Sequence, residues 1–429
     1  MFEFHPYFTN DGSVGLYSPE FKDIYHSTTG ALTEAYEKFI MPVDIENLLA
    51  KDSIKVLDIC YGIGYNSKSF LNLILENYFL KISQKNNKHA KQYIETICTN
   101  NNSEKNNNES VSNYSMCTET IDTHNIFDKI YIKSVDIDKN LFFLSPFVKT
   151  GVKNFKNNNF DFEYKNIDKY LEKEKIKNPK KIHKLINFVI FEKIIKKYPE
   201  ILQNEDIIAI LDSKRYNSYF DSNLKGIYEF YRSERCKCTL LKKISTSLHN
   251  IYYQHVSNCY KNDLKRYNLR DFSFDPQIGD ARDIIKNDNN LYNLIFLDAF
   301  TPAKCPCLWS YEFFKLLFEH LEQDGMILTY STSAAIRSAM KEAGFFIGNI
   351  YNERLNKYTG TIAVKDSAKI IHSLSEFDLG LLNTTAGIFY RDENLTSQNE
   401  AIIERRNQEV KNSDRLSTSK YKKNFNKIL

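Results

Sequence analysis

Four apolar runs in this chain each break off at an aspartate, and that repeat constrains the fold more than any other feature. They are "IKVLDIC" (54–60), "KIYIKSVDID" (129–138), "FSFDPQIGDAR" (272–282) and "LYNLIFLDAF" (291–300). A strand buried on both faces of a parallel sheet reads as a nearly continuous hydrophobic run, so these four are strands with a carboxylate at the C-terminal end. Helical patterns separate them. "SKSFLNLILENYFL" follows the first, and "SYEFFKLLFEHLEQDG" follows the fourth and is expected to close at Gly325. "MILTYS" (326–331), a helix over 334–343 and the pair "FFIGNIY"/"TGTIAVK" complete the set. The last two, close together around "NERLNKY", predict an antiparallel hairpin on the sheet edge. The expectation is an α/β, Rossmann-like fold: a mostly parallel seven-stranded sheet, helices on both faces, and two insertions.

The insertions are compositional. Residues 84–125 are polar and Asn-rich, with too few large apolar side chains to offset the entropy of ordering, and are expected to be disordered. Residues 151–255 are rich in Lys, Asn and Tyr with intermittent apolar runs and predict a small subdomain of unassigned fold. The domain thus reads as 1–83, 126–150 and 256–365, followed by a basic tail over 366–429. From Arg405 onward eight basic residues face Glu409 and Asp414, a surplus of +6 against +4 for the whole chain. Such a patch suits a polyanion, or is merely a solvated face.

Bulk properties exclude several classes. No run approaches the roughly 20 apolar residues of a membrane span, and the N-terminus lacks the pattern of a signal peptide, so a cytoplasmic protein is expected. The eight cysteines lie scattered apart from the pairs Cys236/Cys238 and Cys305/Cys307, a spacing that predicts free thiols and no metal site.

In an open α/β sheet, ligands sit beyond the carboxyl ends of the strands, at the switch point. Asp58, Asp136, Asp280 and Asp298 stand there. After the first comes Gly62-Ile63-Gly64, but the third glycine of a dinucleotide fingerprint is replaced by Ser67, and no phosphate-cradling G-K-[ST] occurs. Acids after three successive strands better fit adenosine bearing an amino-acid tail. Asp136 would take the ribose hydroxyls, Asp280 the adenine amino edge, and Asp58 with the Gly62 backbone the ammonium of S-adenosylmethionine. Each Asp could instead only cap the helix that follows it.

Asp298 then stands where an acceptor approaches the transferable methyl. An amine acceptor is protonated at neutral pH, and a carboxylate that takes the proton contributes typically about 10²–10⁴-fold. Phe300, Trp309 and Tyr330 are candidates to stack on a base, worth about 1–3 kcal/mol each. Trp309 reads equally as the packed first turn of its helix.

Five blocks carry a resemblance: "TNDGSVGLYSPEFKDIYHSTTGALTEAYEKF", "DICYGIGYN", "LIFLDAFTPAKCPCLW", "DGMILTYSTSAAIRSAMKEAGF" and "FYRDENLTSQNEAIIERR". Together they resemble the methyltransferase half of the bifunctional tRNA 5-methylaminomethyl-2-thiouridine biosynthesis family, MnmC, and especially its stand-alone form without the FAD-dependent oxidoreductase half. The resemblance implies a class I S-adenosylmethionine-dependent methyltransferase acting on the aminomethyl group of a tRNA wobble uridine, with other enzymes installing that group. It makes Asp298 the catalytic residue. It makes Asp58, Tyr61, Gly62, Gly64, Asn66, Asp136, Ile137, Gly279, Asp280 and Ala281 the cofactor set. Tyr25, His26 and Glu34 of the opening block would close over the substrate, although an N-terminal hairpin packed on the sheet explains them too. Phe300, Pro302, Lys304, Trp309, Tyr330 and Arg337 complete the substrate set. The chain departs from the family at Cys305, usually Asn, at Cys307, often an acid, and at Ile63, usually Thr. An aminopropyltransferase of the spermidine-synthase kind and a non-catalytic RNA-binding methyltransferase fold are the competing readings.

Overall fold

The computed structural model describes residues 3–19, 22–26, 28–74, 127–149, 180–235, 248–267 and 271–425. The Asn-rich segment 84–125 lies outside them, as does much of the second insertion.

The chain opens with a small antiparallel sheet, β1 (His5–Phe8), β2 (Val14–Ser18) and β3 (Asp23–Ile24). The helical turns Ala31–Ala35 and Tyr36–Ile40 follow. Asp11 ties the two together: its Oδ1 accepts from the Ser13 amide and its Oδ2 from the Thr33 amide, each at 2.8 Å.

The main sheet contains β4 (Ile54–Ile59), β5 (Ile130–Asp136), β6 (Ser273–Ile278), β7 (Tyr292–Leu297), β8 (Leu321–Thr329), β9 (Phe346–Asn352) and β10 (Lys357–Val364). Their spatial order is β6-β5-β4-β7-β8-β10-β9, parallel except for β10, which runs antiparallel to both neighbours. The expected seven-stranded sheet and edge hairpin are both present. The chain order reverses at the β4–β7 pair, so the switch-point crevice opens between Asp58 and Asp298.

Alternation along each strand divides the core. Leu294 and Phe296 belong to the cluster on one face, and Ile295 and Leu297 to the cluster on the other, all essentially inaccessible. The first cluster holds the N-terminal helix and the second insertion. That insertion is helical where described, with helices Lys180–Lys197, Glu205–Asp212, Ser222–Arg235 and Leu248–Tyr267. Its Phe191 and Tyr228 meet Phe147 edge-on at 5.5 Å, so it shares the core rather than forming a separate one. The last of these helices runs through residue 255, where the sequence placed a boundary.

The helix expected to reach Gly325 ends at Glu319. "LEQDG" already belongs to β8, where the register slips opposite Tyr292–Leu294 and a Cβ on Gly325 would lie 2.8 Å from the Tyr292 carbonyl oxygen. The glycine marks a bulge, not a helix cap.

The C-terminal region is likewise folded where it was expected to be a tail. Helices Glu376–Leu382, Asn399–Asn412 and Thr418–Phe425 pack back onto the domain, and Ile402 is fully buried against Trp309 and its neighbours.

Candidate active site

The glycine loop begins at a strained point. Cys60, directly after β4, has φ +64° without being glycine. Gly62 (φ +56°) and Gly64 (φ +84°) follow, and a Cβ on Gly64 would strike the Tyr61 hydroxyl at 2.4 Å. The loop runs into a helix over 65–74. Its position is fixed from below: Gly62 N donates to Asp136 Oδ2 at 2.7 Å, and the amides of Cys60 and Tyr61 both reach the Val135 carbonyl oxygen. Lys68, buried beneath, donates from Nζ to the carbonyl oxygens of Ile63 (2.9 Å) and Ser145 (2.7 Å), and burial brings its pKa down to about 7.

Three of the four strand-end acids gather here. Asp58 accepts from the Ser67 hydroxyl (2.6 Å) and amide (3.2 Å), whereas its Oδ1 is buried with no partner among the described residues. Burial pushes its pKa up to about 7, with Asp298 and Asp136 adding repulsion. Asp136 is pushed up to about 6 by burial, against amides from Asp138 and Gly62. Asp298, half-buried after β7, accepts from Asn66 Nδ2 at 3.0 Å. Its pKa is pushed up to about 7, first by burial and then by the charge of Glu34, while Asn66 and Lys38 act in the opposite sense.

Asp280 differs. It caps the helix Ala281–Lys286 through the Arg282 amide, and its carboxylate is gripped by the Arg282 guanidinium at 2.6–3.2 Å. Although burial raises its pKa, the guanidinium holds it below the usual carboxylate range. Gly279 donates from its amide to the Asp136 carbonyl oxygen, and Ile137 beside it is 71% exposed, an apolar surface facing outward at the crevice rim.

The N-terminal block closes over the Asp298 side. Tyr25 contacts Phe300 with ring centroids 4.8 Å apart. Glu34 pairs with Lys38, whose Nζ lies 5.4 Å above the Tyr330 ring, and Tyr330 donates to the Ala299 carbonyl oxygen at 2.8 Å. His26 stands edge-on to Tyr65 with its Nε2 buried, and burial lowers its pKa to about 4, so it is a neutral packing residue. Lys304 is exposed and Pro302 half-buried on the loop after β7.

Residues 241–365 match an S-adenosyl-L-methionine-dependent methyltransferase family. An uncharacterized protein of Methanocaldococcus jannaschii is 31% identical over 237 residues, 52% of this chain and 66% of that one. The bifunctional tRNA 5-methylaminomethyl-2-thiouridine biosynthesis protein MnmC of Burkholderia thailandensis is 37% identical over 67 residues, 16% of this chain and 10% of that one. The crystal structure of MNMC2 from Aquifex aeolicus superposes with a TM-score of 0.51 over 96% of this chain and 87% of that one, at 18% identity. The chain carries an MnmC-like methyltransferase domain. The Aquifex likeness shows the shared fold, and the curated relatives are matched over less than two thirds of their own length.

Four members of the expected sites do not face the crevice of the methyltransferase domain. Trp309 is fully buried and donates from Nε1 to the Phe300 carbonyl oxygen at 2.8 Å, so it braces the loop and cannot stack on a base. Arg337 is 3% exposed and is consumed by Thr361, Asn349 and the Gly360 carbonyl oxygen between the sheet edge and its helix. The Tyr61 ring lies flat on Phe142 (centroids 4.6 Å, planes 9° apart) and bonds Ser145, leaving only its backbone near the loop. Ala281 is buried behind Asp280.

The structure adds residues that sequence reasoning missed. Lys38 was legible as the i+4 partner of Glu34. Lys68 and Asn399 were not. Asn399 binds the loop after β7 from 92 and 95 residues away, accepting from the Cys307 amide and donating to the Lys304 carbonyl oxygen, each at 3.4 Å.

Proposed function

We propose that the domain is an S-adenosylmethionine-dependent N-methyltransferase of a primary amine: the aminomethyl group of 5-aminomethyl-(2-thio)uridine at the wobble position of tRNA, giving the 5-methylaminomethyl nucleoside. The observation that carries it is Asp298, a carboxylate at the switch point whose pKa lies near 7 and which is held by one neutral amide.

The crevice fits the cofactor. Gly62 leaves open space where a Cβ would project, Asp58 keeps one buried oxygen unpartnered, and Ile137 offers apolar surface beside Asp136. Asp58 and the Gly62 backbone would hold its amino-acid end, Asp136 and Ile137 its nucleoside, with Gly279 lining the same edge. When bound, S-adenosylmethionine supplies an electrophilic methyl group.

The protein's own task is to present a neutral amine. Asp298 takes one proton from the incoming ammonium and freezes the direction of the freed lone pair; a base with pKa near the working pH is matched to that step. Tyr25, Phe300 and Tyr330 surround the nucleobase edge, and the Glu34–Lys38 pair holds a second carboxylate near the ammonium. Alignment is expected to contribute most of the acceleration, since effective molarities can supply roughly 7–11 kcal/mol.

Support for a polyanionic substrate comes from the surface. Lys304 is exposed on the loop after β7, and the helix that begins at Asn399, beside that loop, leads toward exposed Lys411, Arg415, Lys420, Lys422 and Lys423. The target base must leave its stack to reach Asp298.

The test is nucleoside mass spectrometry of tRNA carrying 5-aminomethyluridine after incubation with protein and S-adenosylmethionine. A gain of one methyl on that nucleoside is expected. Alkylation of a polyamine from the decarboxylated cofactor would favour the aminopropyltransferase reading, and tRNA binding without transfer a non-catalytic one; either overturns the proposal.

A further inference from the structure

The loop after β7 carries two sulfurs that the methyl-transfer chemistry does not use. Cys305 and Cys307 flank Pro306, and their Sγ atoms lie 3.6 Å apart. Cys305 is half-buried and Cys307 9% exposed, so the pair is reachable by a small solute from the Cys305 side. The pair is also held. The Cys305 amide donates to the Thr301 carbonyl oxygen at 3.0 Å, the Cys307 amide is received by Asn399, and Pro306 opens the short 3₁₀ turn that ends at Trp309. Bonding to Cys305 lowers the Cys307 pKa, burial acts against this, and the Arg282 guanidinium assists. The same bond, with burial, pushes the Cys305 thiol up, so Cys307 is the sulfur of the pair that ionises more readily, and the thiolate is the reactive form.

We infer that Cys305 and Cys307 form a dithiol modification site, oxidised by small hydroperoxides to an intraloop disulfide that holds the enzyme inactive until it is reduced. One sulfur attacks the distal peroxide oxygen, the O–O bond breaks and the alkoxide leaves as an alcohol. The second sulfur then attacks the sulfenic sulfur, the S–O bond breaks, and the hydroxyl leaves as water with the second thiol's proton. In sum two S–H bonds give one S–S bond, and the hydroperoxide is reduced to alcohol and water. The sulfurs must close from 3.6 Å to about 2.0 Å. The loop between Thr301 and Trp309 is pinned at both ends, so that contraction is passed to Phe300 and Asp298. A displacement of about 1 Å from reactive geometry can cost as much as about 10²-fold.

The effect on turnover rests on the methyl-transfer reading, whereas the disulfide does not, and the experiment separates them. Reduced protein is treated with tert-butyl hydroperoxide, its remaining thiols are alkylated, and the digest is mapped by mass spectrometry. The expected result is an unalkylated, disulfide-closed peptide containing both cysteines, reversed by dithiothreitol and absent from Cys305→Ser and Cys307→Ser. Recovery of both residues as alkylated thiols, or a disulfide made with Cys60 instead, overturns the inference. Methyl transfer should fall at least about ten-fold on oxidation and return on reduction, with the double serine variant keeping its own rate under peroxide. Equal inactivation of wild type and double variant would overturn the switch. Should a serine variant not fold, wild-type mapping before and after dithiothreitol still decides the chemistry. An untreated enzyme with no transferase activity would sink the functional reading alone.

Discussion

Asp298 and Asp280 look alike in sequence, each an acid directly after an apolar strand, yet the fold gives them opposite characters. Asp280 has an arginine two residues on, which turns back to grip it and holds its pKa low. Asp298 is followed by Ala-Phe-Thr-Pro and, among the described residues, its carboxylate receives only the Asn66 side-chain amide, in reach of a second carboxylate, Glu34. A strand-end position delivers a carboxylate to the crevice rim, but its neighbours decide whether it is a fixed structural anion or a base able to titrate near neutrality.

The sharpest way to break this contrast is to delete each acid. Asp298→Ala should lower the methyl-transfer rate by about 10²–10⁴-fold while cofactor binding, followed by titration calorimetry, changes little. Asp280→Ala should show the reverse balance, with cofactor affinity or stability affected more than the rate. Equal losses in kcat from the two variants would mean that Asp298 has no special role.

A second test concerns the partner. Arg282 also donates to Asp392, which is fully buried, and to the Ser397 carbonyl oxygen. Arg282→Ala strands that charge and should destabilise the fold by about 3–5 kcal/mol in denaturant unfolding. The paired substitution Asp392→Asn should restore part of the loss. If Arg282→Ala unfolds like wild type, Arg282 is not what fixes the C-terminal segment.

The third is pH. The Asp298 carboxyl is raised from 3.8 to about 7, so kcat/KM should climb as pH rises through that value. Glu34→Gln, which removes a repelling charge, should move the midpoint lower. The stability consequence has the opposite direction. Between about pH 4 and 7 the folded protein keeps Asp298 protonated while the unfolded chain ionises it, so this group's stabilisation is fullest below pH 4 and is lost as pH rises toward 7. Asp298→Asn removes that dependence and should raise the melting temperature at neutral pH by roughly 2–4 °C. A fall in melting temperature would show that the carboxylate is well accommodated.

Much of this was legible before any coordinates. Strand ends and the edge hairpin follow from apolar runs and their terminal acids, because burial on both faces leaves few other patterns. Which acids share a crevice was half legible: chain order places Asp58, Asp136 and Asp298 at strand ends, but only the Arg282 side chain removes Asp280 from their company. Arg337 went astray, and Trp309 took its packing alternative over stacking, for one reason. Residue type names a capability, stacking or substrate contact, whereas burial is set by partners distant in sequence, Ile402 and Tyr330 around the tryptophan, Thr361 and Asn349 around the arginine. The second insertion stayed unassigned because its long helix Lys180–Lys197 is apolar on nearly every side where described, buried between the sheet and other helices, and so shows no amphipathic period.

The smallest expected effect divides the basic residues of the C-terminal helices in the same way. Arg405 and Arg406 donate to the carbonyl oxygens of Arg391 and Ile388, and Arg406 lies 4.8 Å from the Tyr390 ring centroid, so both are committed to the fold. Lys420, Lys422 and Lys423 are exposed on the final helix. If tRNA lies along that helix, replacing the three lysines by glutamine should flatten the log Kd against log salt plot by about 0.9 for each phosphate no longer neutralised, with melting temperature unchanged. Arg406→Gln should do the opposite, lowering the melting temperature and leaving the slope intact, because a guanidinium already spent on a carbonyl oxygen releases no counterion when nucleic acid arrives. Filter-binding isotherms at several salt concentrations would separate the two, and a slope that responds to Arg406 but not to the lysines would move the tRNA to another face.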